Sequence, residues 1–258
     1  MQSKIISFLY HEVTDKPETS GFQRPGALPY KHTTTHFKSD LKLILNHFKS
    51  SEDVTNLPSD GGNASLILTF DDGGLSALHI AEILENEKLV GHFFVTTSMI
   101  GSNTFLNAEQ IKSIRKRGHI IGAHSHNHPS IFRDLTYDEK IYEWKQSKEV
   151  LEKILNEKVY TASIPGGDMD DDTIRSAGEV GIKVLFTSEP HYTPFNKFGV
   201  LVMGRVCPKN TTSAYQIKQW AMGKGFLKAR LIRLAKEFIR VRFKFIYKIY
   251  VKRNAASL

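Results

Sequence analysis

The sequence predicts an α/β fold, a mainly parallel sheet or barrel wrapped by helices, and three observations predict it. Short apolar runs alternate with stretches of helical apolar spacing along most of the chain. The polar clusters able to carry chemistry each follow directly on an apolar run, where strand C-terminal ends collect functional groups in such folds. The 258 residues, 40% hydrophobic and 24% charged, suit one large α/β domain or a catalytic domain with an appendage.

Taken in order, Ile5–Tyr10 reads as a buried strand, and a Pro-, Gly- and Thr-rich loop follows to about Thr35. Phe37, Leu41, Leu43, Ile44, Leu45 and Phe48 have helical spacing. A connector at 56–63 carries Pro58 and Gly61-Gly62 as breakers. Ser65–Phe70 is an apolar strand that delivers Asp71-Asp72-Gly73-Gly74 to its end, and a helix follows around Leu78–Leu84. His92–Val95 is a strand, Ala108–Arg117 a helix, and Ile120-Ile121 a short strand running into a histidine cluster. Tyr137–Leu155 is a long helix, Thr161–Ile164 a strand, Asp170–Val180 a helix, Lys183–Phe186 a strand and Gly199–Met203 the last strand.

The single cysteine, Cys207, excludes an intrachain disulfide, which a chain of this length does not need and which fits a reducing compartment. The first residues lack the basic start, long apolar stretch and small-residue site of a secretory signal, and no window is apolar enough to span a bilayer. The expected location is cytoplasmic, or peripheral at the inner membrane face. The net charge of +8 is unevenly placed: residues 224–253 hold eleven Lys or Arg and one acid, Glu237, leaving the rest of the chain slightly acidic.

Asp71 and Asp72 are adjacent carboxylates that repel unless a cation lies beside them, and a metal is the usual solution. In extended backbone neighbouring side chains point opposite ways, so one Asp can hold metal while the other faces a reacting water. Asp-Asp-Gly is also a common turn sequence. His124-Ser125-His126-Asn127-His128-Pro129 places three histidines in five residues just after a strand. Asp72, His124 and His128 supply the three protein ligands of a catalytic zinc site with an open position for water. Such a set suits Zn2+ best, with Co2+, Ni2+ or Mn2+ as alternatives.

These segments resemble the polysaccharide deacetylase family, the NodB-homology domain. Thr69-Phe70-Asp71-Asp72-Gly73 resembles its first motif, and His124-Ser125-His126-Asn127-His128, with the approach Gly118–Ala123, its second. Tyr10-His11 is similar to a dipeptide on the first strand of one branch. The resemblance spans roughly residues 4–206. It implies a distorted (β/α) barrel, Asp71 as base, and Asp72, His124 and His128 as metal ligands. The implied reaction removes an N-acetyl group from an amino sugar in a polysaccharide, oligosaccharide or lipid-linked glycan precursor. The metal would polarise the acetyl carbonyl and lower the pKa of a water, while Asp71 takes that water's proton. The backbone N–H of Gly166 would help hold the oxyanion. His11, Pro165, Gly166, Gly167 and Arg205 are the expected substrate-binding residues.

The chain also departs from the family pattern. The third motif, Arg-x-Pro-x-Gly, reads Ser163-Ile164-Pro165-Gly166-Gly167, so the arginine that would partner the base is a serine. Arg205 or Arg175 is the candidate replacement. The later motif that supplies a general acid has no match, which leaves His191, His126 or His79 for that role. These gaps keep two other readings open: hydrolysis of another non-peptide amide bond, and a non-catalytic carbohydrate-binding relative.

The expected division is a catalytic domain over 1–210 and a basic amphipathic helical extension over 211–258. In the extension Leu227, Leu231, Leu234, Phe238, Val241, Phe245 and Ile249 recur at steps of three or four among Lys and Arg. Such a helix either packs on the domain or lies on an anionic membrane surface. Val241–Phe245 also alternates like a strand. Charge without a recognition motif does not indicate nucleic-acid binding.

Overall fold

A computed structural model describes residues 4–57 and 64–226 and, beyond them, Leu231, Leu234, Ala235, Phe238, Arg242 and Phe243. The connector around Gly61-Gly62 and the strand-like alternative at Val241–Phe245 lie largely outside the described residues.

The chain runs β1 (Ile5–Tyr10), β2 (Glu12–Val13), β3 (Lys31–His32), α1 (Thr34–Leu45), β4 (Ser65–Phe70), α2 (Ala77–Asn86), β5 (Gly91–Val95), α3 (Ala108–Lys116), β6 (Ile120–Ala123), α4 (Tyr137–Leu155), β7 (Thr161–Ser163), α5 (Asp171–Glu179), β8 (Val184–Phe186), β9 (Phe195–Lys197), β10 (Val200–Met203) and α6 (Ala214–Ala221). Eight strands form one sheet in the order β1-β4-β5-β6-β7-β8-β10-β9, every pairing parallel except β10 with β9. The sheet curls until Val206, just after β10, bridges back to Phe8 of β1: Leu9 N–H donates to Val206 O at 2.8 Å, and Val206 N–H to Ser7 O at 2.9 Å. The expected barrel of parallel strands wrapped by helices is therefore the observed architecture.

Strand periodicity sorts the side chains onto two faces. Ile6, Phe8, Leu66, Leu68, Phe93, Leu185 and Val202 join helix residues such as Leu41, Ile80, Ile111, Trp144 and Ile217 in the large outer core. Ile5, Ile67, Phe94, Phe186 and Met203 form a separate cluster that no α-helix enters, the inside of the curl. Counting on in steps of two, the inward positions include His11, Asp71, Ser163 and Arg205. The inner face thus changes from hydrocarbon to charge at the C-terminal mouth.

Helix ends follow local chemistry. The Thr136 and Glu139 side chains form a reciprocal capping box at the start of α4, and Asn156 ends it in the left-handed conformation. Packing continues past the expected boundary at residue 210, because Ile217 and Ala221 of α6 and then Phe226 are buried in the outer core. Beyond Phe226 the described apolar residues behave differently: Leu231, Leu234, Phe238 and Phe243 are all exposed. β9 was not expected from the sequence; its three residues are mostly exposed and carry no alternating apolar pattern.

Candidate active site and metal group

Asp71 directly follows β4, and its N–H still donates to the Tyr10 carbonyl at 3.1 Å. Asp72 then turns left-handed, with φ of 77°. This turn, rather than the extended alternation expected from the sequence, sends the two adjacent carboxylates to different partners. Aspartate tolerates the conformation better than most residues.

Asp71 is buried and held by Arg205, which is fully buried. The guanidinium contacts both carboxylate oxygens, at 2.8 Å from one terminal nitrogen and 2.9 Å from the other. Its other donors reach the Thr69 hydroxyl at 3.1 Å, the Ser163 hydroxyl at 2.7 Å and, from Nε, the Thr187 carbonyl at 3.0 Å. All five guanidinium N–H groups are thereby used. Ser163 donates its own hydroxyl to Asp71 Oδ2 at 2.8 Å. Burial alone would raise the Asp71 pKa, but Arg205 and then His124 outweigh it and hold the carboxyl below its ordinary value. A carboxylate so held is ionised and fixed in direction.

Asp72 Oδ1 lies 3.4 Å from His124 Nε2 and 3.4 Å from His128 Nε2. Donor atoms of all three residues fall within 4.8 Å of one another, a set that fits a divalent metal ion. Burial opposes ionisation of Asp72, yet hydrogen bonding from the two histidines and nearby positive charge keep it well below the carboxylate range. His124 Nδ1–H donates to the Ser163 carbonyl at 2.9 Å, so a metal-bound His124 would ligate through Nε2, the atom on the Asp72 side. Arg24 donates to His128 Nδ1 at 3.2 Å. Ligation through His128 Nε2 would require the other tautomer, whose Nδ1–H would no longer accept from Arg24.

These groups open into a cavity of about 410 Å3 lined by His11, Arg24, Tyr30, Asp71, Asp72, His128, Gly166 and Trp220, among others. Its size falls in the range of small-molecule sites. The His11 Nδ1 and Trp220 Nε1 atoms are buried without a hydrogen-bond partner in the protein. Burial lowers the His11 pKa against the pull of Asp72 and Asp71, leaving a neutral imidazole. Gly166 has φ of 69°, and no atom lies within 4 Å of where its Cβ would stand, so its backbone faces open space. Pro165 and Gly167 are buried and do not line the cavity. His191 does not line it either; its Nδ1 donates to the Thr193 carbonyl at 3.0 Å and its ring packs on Phe195. His126 pairs with the Thr97 hydroxyl and His79 with the Thr34 hydroxyl, both outside the cavity lining. Arg175 stacks on Phe198, away from Asp71.

Residues 59–185 match the family model described as polysaccharide deacetylase. Over those residues the chain resembles polysaccharide deacetylases. It is 28% identical over 131 residues to the Listeria monocytogenes peptidoglycan-N-acetylglucosamine deacetylase PgdA, covering 49% of this chain and 27% of that one. It is 26% identical over 172 residues to the Bacillus subtilis peptidoglycan-N-acetylmuramic acid deacetylase PdaA, covering 62% of this chain and 59% of that one. These curated relatives are therefore matched over less than two thirds of their length. The Streptococcus pyogenes deacetylase PplD, solved with acetate, shares the fold with a TM-score of 0.69 at 20% identity, over 86% of this chain and 99% of that one.

Arg205 sits beside Asp71 where the resemblance expects an arginine at position 163. A serine there leaves room beside Asp71, and a guanidinium arriving from beyond β10 fills it. Arg205 thus orients Asp71, one of the two roles the sequence offered it, the other being substrate binding. The sequence also missed Glu143, which is buried on α4. Its carboxylate accepts from the backbone N–H groups of His126 and Asn127, both at 2.8 Å, and from the Asn127 side chain at 2.7 Å. The signal was present: Lys140, Glu143 and Ser147 lie on the buried stripe of α4 with Trp144 and Leu151.

Glu12 was missed as well. It lines the cavity, and its carboxylate accepts from the Ser20 and Ser76 hydroxyls. A Cβ on Gly21 or Gly74 would collide with Glu12 Oε1 at 2.2 Å, so both glycines are needed to seat it. Burial pushes Glu12 up to about 7, with the Ser20 and Ser76 hydrogen bonds opposing the rise. A raised acid pKa means that the folded state binds more protons than the unfolded state between about 4.5 and about 7. Stability is therefore lost as pH rises through that window, by up to ~3 kcal/mol. Urea denaturation of metal-free protein should show Glu12→Gln gaining on the wild type between pH 5 and 8. The same pH slope in both proteins would contradict this assignment.

Proposed function

We propose that this chain hydrolyses the N-acetyl group of an amino sugar within a glycan, with Asp71 as the base. The observation that carries this reading is the pairing of an ionised, fully supported Asp71 with a three-donor metal group on the adjacent residue, at the mouth of one cavity. A divalent ion held by Asp72, His124 and His128 supplies Lewis-acid polarisation of the acetyl carbonyl and a more acidic water; two imidazoles and one carboxylate suit Zn2+ best. Asp71 takes the proton of the attacking water, and Arg205 with Ser163 fixes the direction of the accepting oxygens. The Gly166 backbone supports the developing oxyanion. The leaving amine takes up the proton that Asp71 accepted from the water, and His11, a neutral imidazole lining the cavity, hydrogen-bonds the substrate. Tyr30 and Trp220 offer aromatic faces to the apolar faces of a sugar ring. N-acetylated oligosaccharides tested against small cyclic amides discriminate the proposed substrate class: acetate release from the former supports it, and turnover of the latter alone overturns it.

The substrate is proposed to be presented at an anionic membrane surface, as a lipid-linked or envelope glycan would be. Support comes from the eleven basic residues of 224–253 and from the exposure of Leu231, Leu234, Phe238 and Phe243, a composition that binds acidic headgroups. No helix among the described residues is long and apolar enough to cross a membrane. Cosedimentation with vesicles containing phosphatidylglycerol should exceed that with neutral vesicles and fall at high salt. Equal, salt-insensitive recovery with both would exclude this presentation.

A further inference from the structure

A second group of metal-binding donors lies outside the cavity, and the geometry points to a second divalent-ion site formed by His32, His36 and Asp40. His32 ends β3. The chain turns at Thr33, whose side chain accepts from the His36 N–H, and enters α1. His36 and Asp40 are four residues apart on that helix and so share a face. One donor atom from each of the three residues falls within 4.8 Å of the others.

The electronic state of each donor suits ligation. His32 is fully buried. Its Nε2 lies 3.4 Å from the Pro208 carbonyl, which can only accept, so the lone pair resides on Nδ1. That Nδ1 has no hydrogen-bond partner. Burial lowers the His32 pKa to about 4, so the ring is neutral, as a metal ligand must be. Asp40 is buried with no Lys or Arg ion pair among the described residues; its Oδ1 is 3.7 Å from His36 Nε2, too long for a hydrogen bond. Burial raises its pKa, the cost of a carboxylate without a full counter-charge. Tyr10 donates its hydroxyl to Asp40 Oδ2 at 3.1 Å, the outer hydrogen bond that orients a ligating carboxylate. The His36 side chain, 29% exposed, leaves an entry path from solvent. Two imidazoles and a carboxylate select a zinc-like ion over Mg2+ or Ca2+.

An ion here joins α1 and β3 to Tyr10, whose neighbours are His11 of the cavity and, by ring stacking, Phe70 just before Asp71. The site braces the strands that carry the reaction and does not itself touch the cavity. Zinc titration of metal-depleted full-length protein, read by calorimetry and by metal content after desalting, tests it. The wild type should bind two ions per chain, and His36→Ala and His128→Ala should each bind one. His128→Ala should still gain thermal stability on adding Zn2+, and the double variant should not. His36→Gln repeats the test if the alanine lowers the melting temperature of the metal-free protein. One ion in the wild type that His128→Ala removes, or two ions retained by both His36 variants, would overturn the second site while leaving the first intact.

Discussion

Replacing Arg205 by Met should destabilise the protein by about 3–5 kcal/mol, the usual result of stranding one member of a buried ion pair. The size of the effect follows from the geometry. Asp71 and Arg205 are both buried, and the guanidinium spends its five N–H groups on Asp71, Ser163, Thr69 and Thr187. Without it, burial raises the Asp71 pKa unopposed by its strongest counter-charge. The acid limb of the pH–rate profile should therefore move to higher pH, with kcat/KM falling by a hundredfold or more at pH 6, on the scale of a lost general base. Arg205→Lys keeps the charge but not the two-point grip, and should fall between. Urea denaturation together with the pH profile checks both halves. A Met variant within 1 kcal/mol of the wild type, with an unshifted acid limb, would remove Arg205 from its assigned role.

Asp71→Asn should be nearly isosteric and should abolish turnover. The amide cannot accept the water's proton, so the loss should reach at least 10^2–10^4-fold in kcat. Metal content at Asp72, His124 and His128 should be unchanged, because the Asp71 oxygens are hydrogen-bonded to Arg205 and Ser163 and are not among the three grouped donors. Retained activity in the variant would make another group the base. Lost metal would mean that Asp71 is itself a ligand.

The parts of the site that lie in short segments were legible in the sequence. Asp71 and Asp72 follow an apolar strand, and His124 and His128 flank one tight loop, so residue type and spacing sufficed. Arg205 was named only as one of two arginines, because it is 134 residues from Asp71 and only curling of the sheet brings them together. The inward register of β1, β4, β7 and the segment after β10 decides between Arg205 and Arg175, and register is a property of pairing rather than of one strand. The fold was legible wherever periodicity was strong: α4 and β4 fall at the expected residues. It was not legible at β9, which pairs only at the sheet edge, or in α6, whose apolar residues look alike whether they face a core or a surface. The left-handed turn at Asp72 separates the carboxylates in a way that extended-strand reasoning could not supply.

The most direct test is acetate release by zinc-loaded protein from a panel of N-acetylated oligosaccharides and lipid-linked sugars, with Asp71→Asn measured alongside. Release from at least one member of the panel is expected, lost in Asp71→Asn while the metal stays bound. No release from any member by protein that holds its metal at Asp72, His124 and His128 would contradict the proposed function.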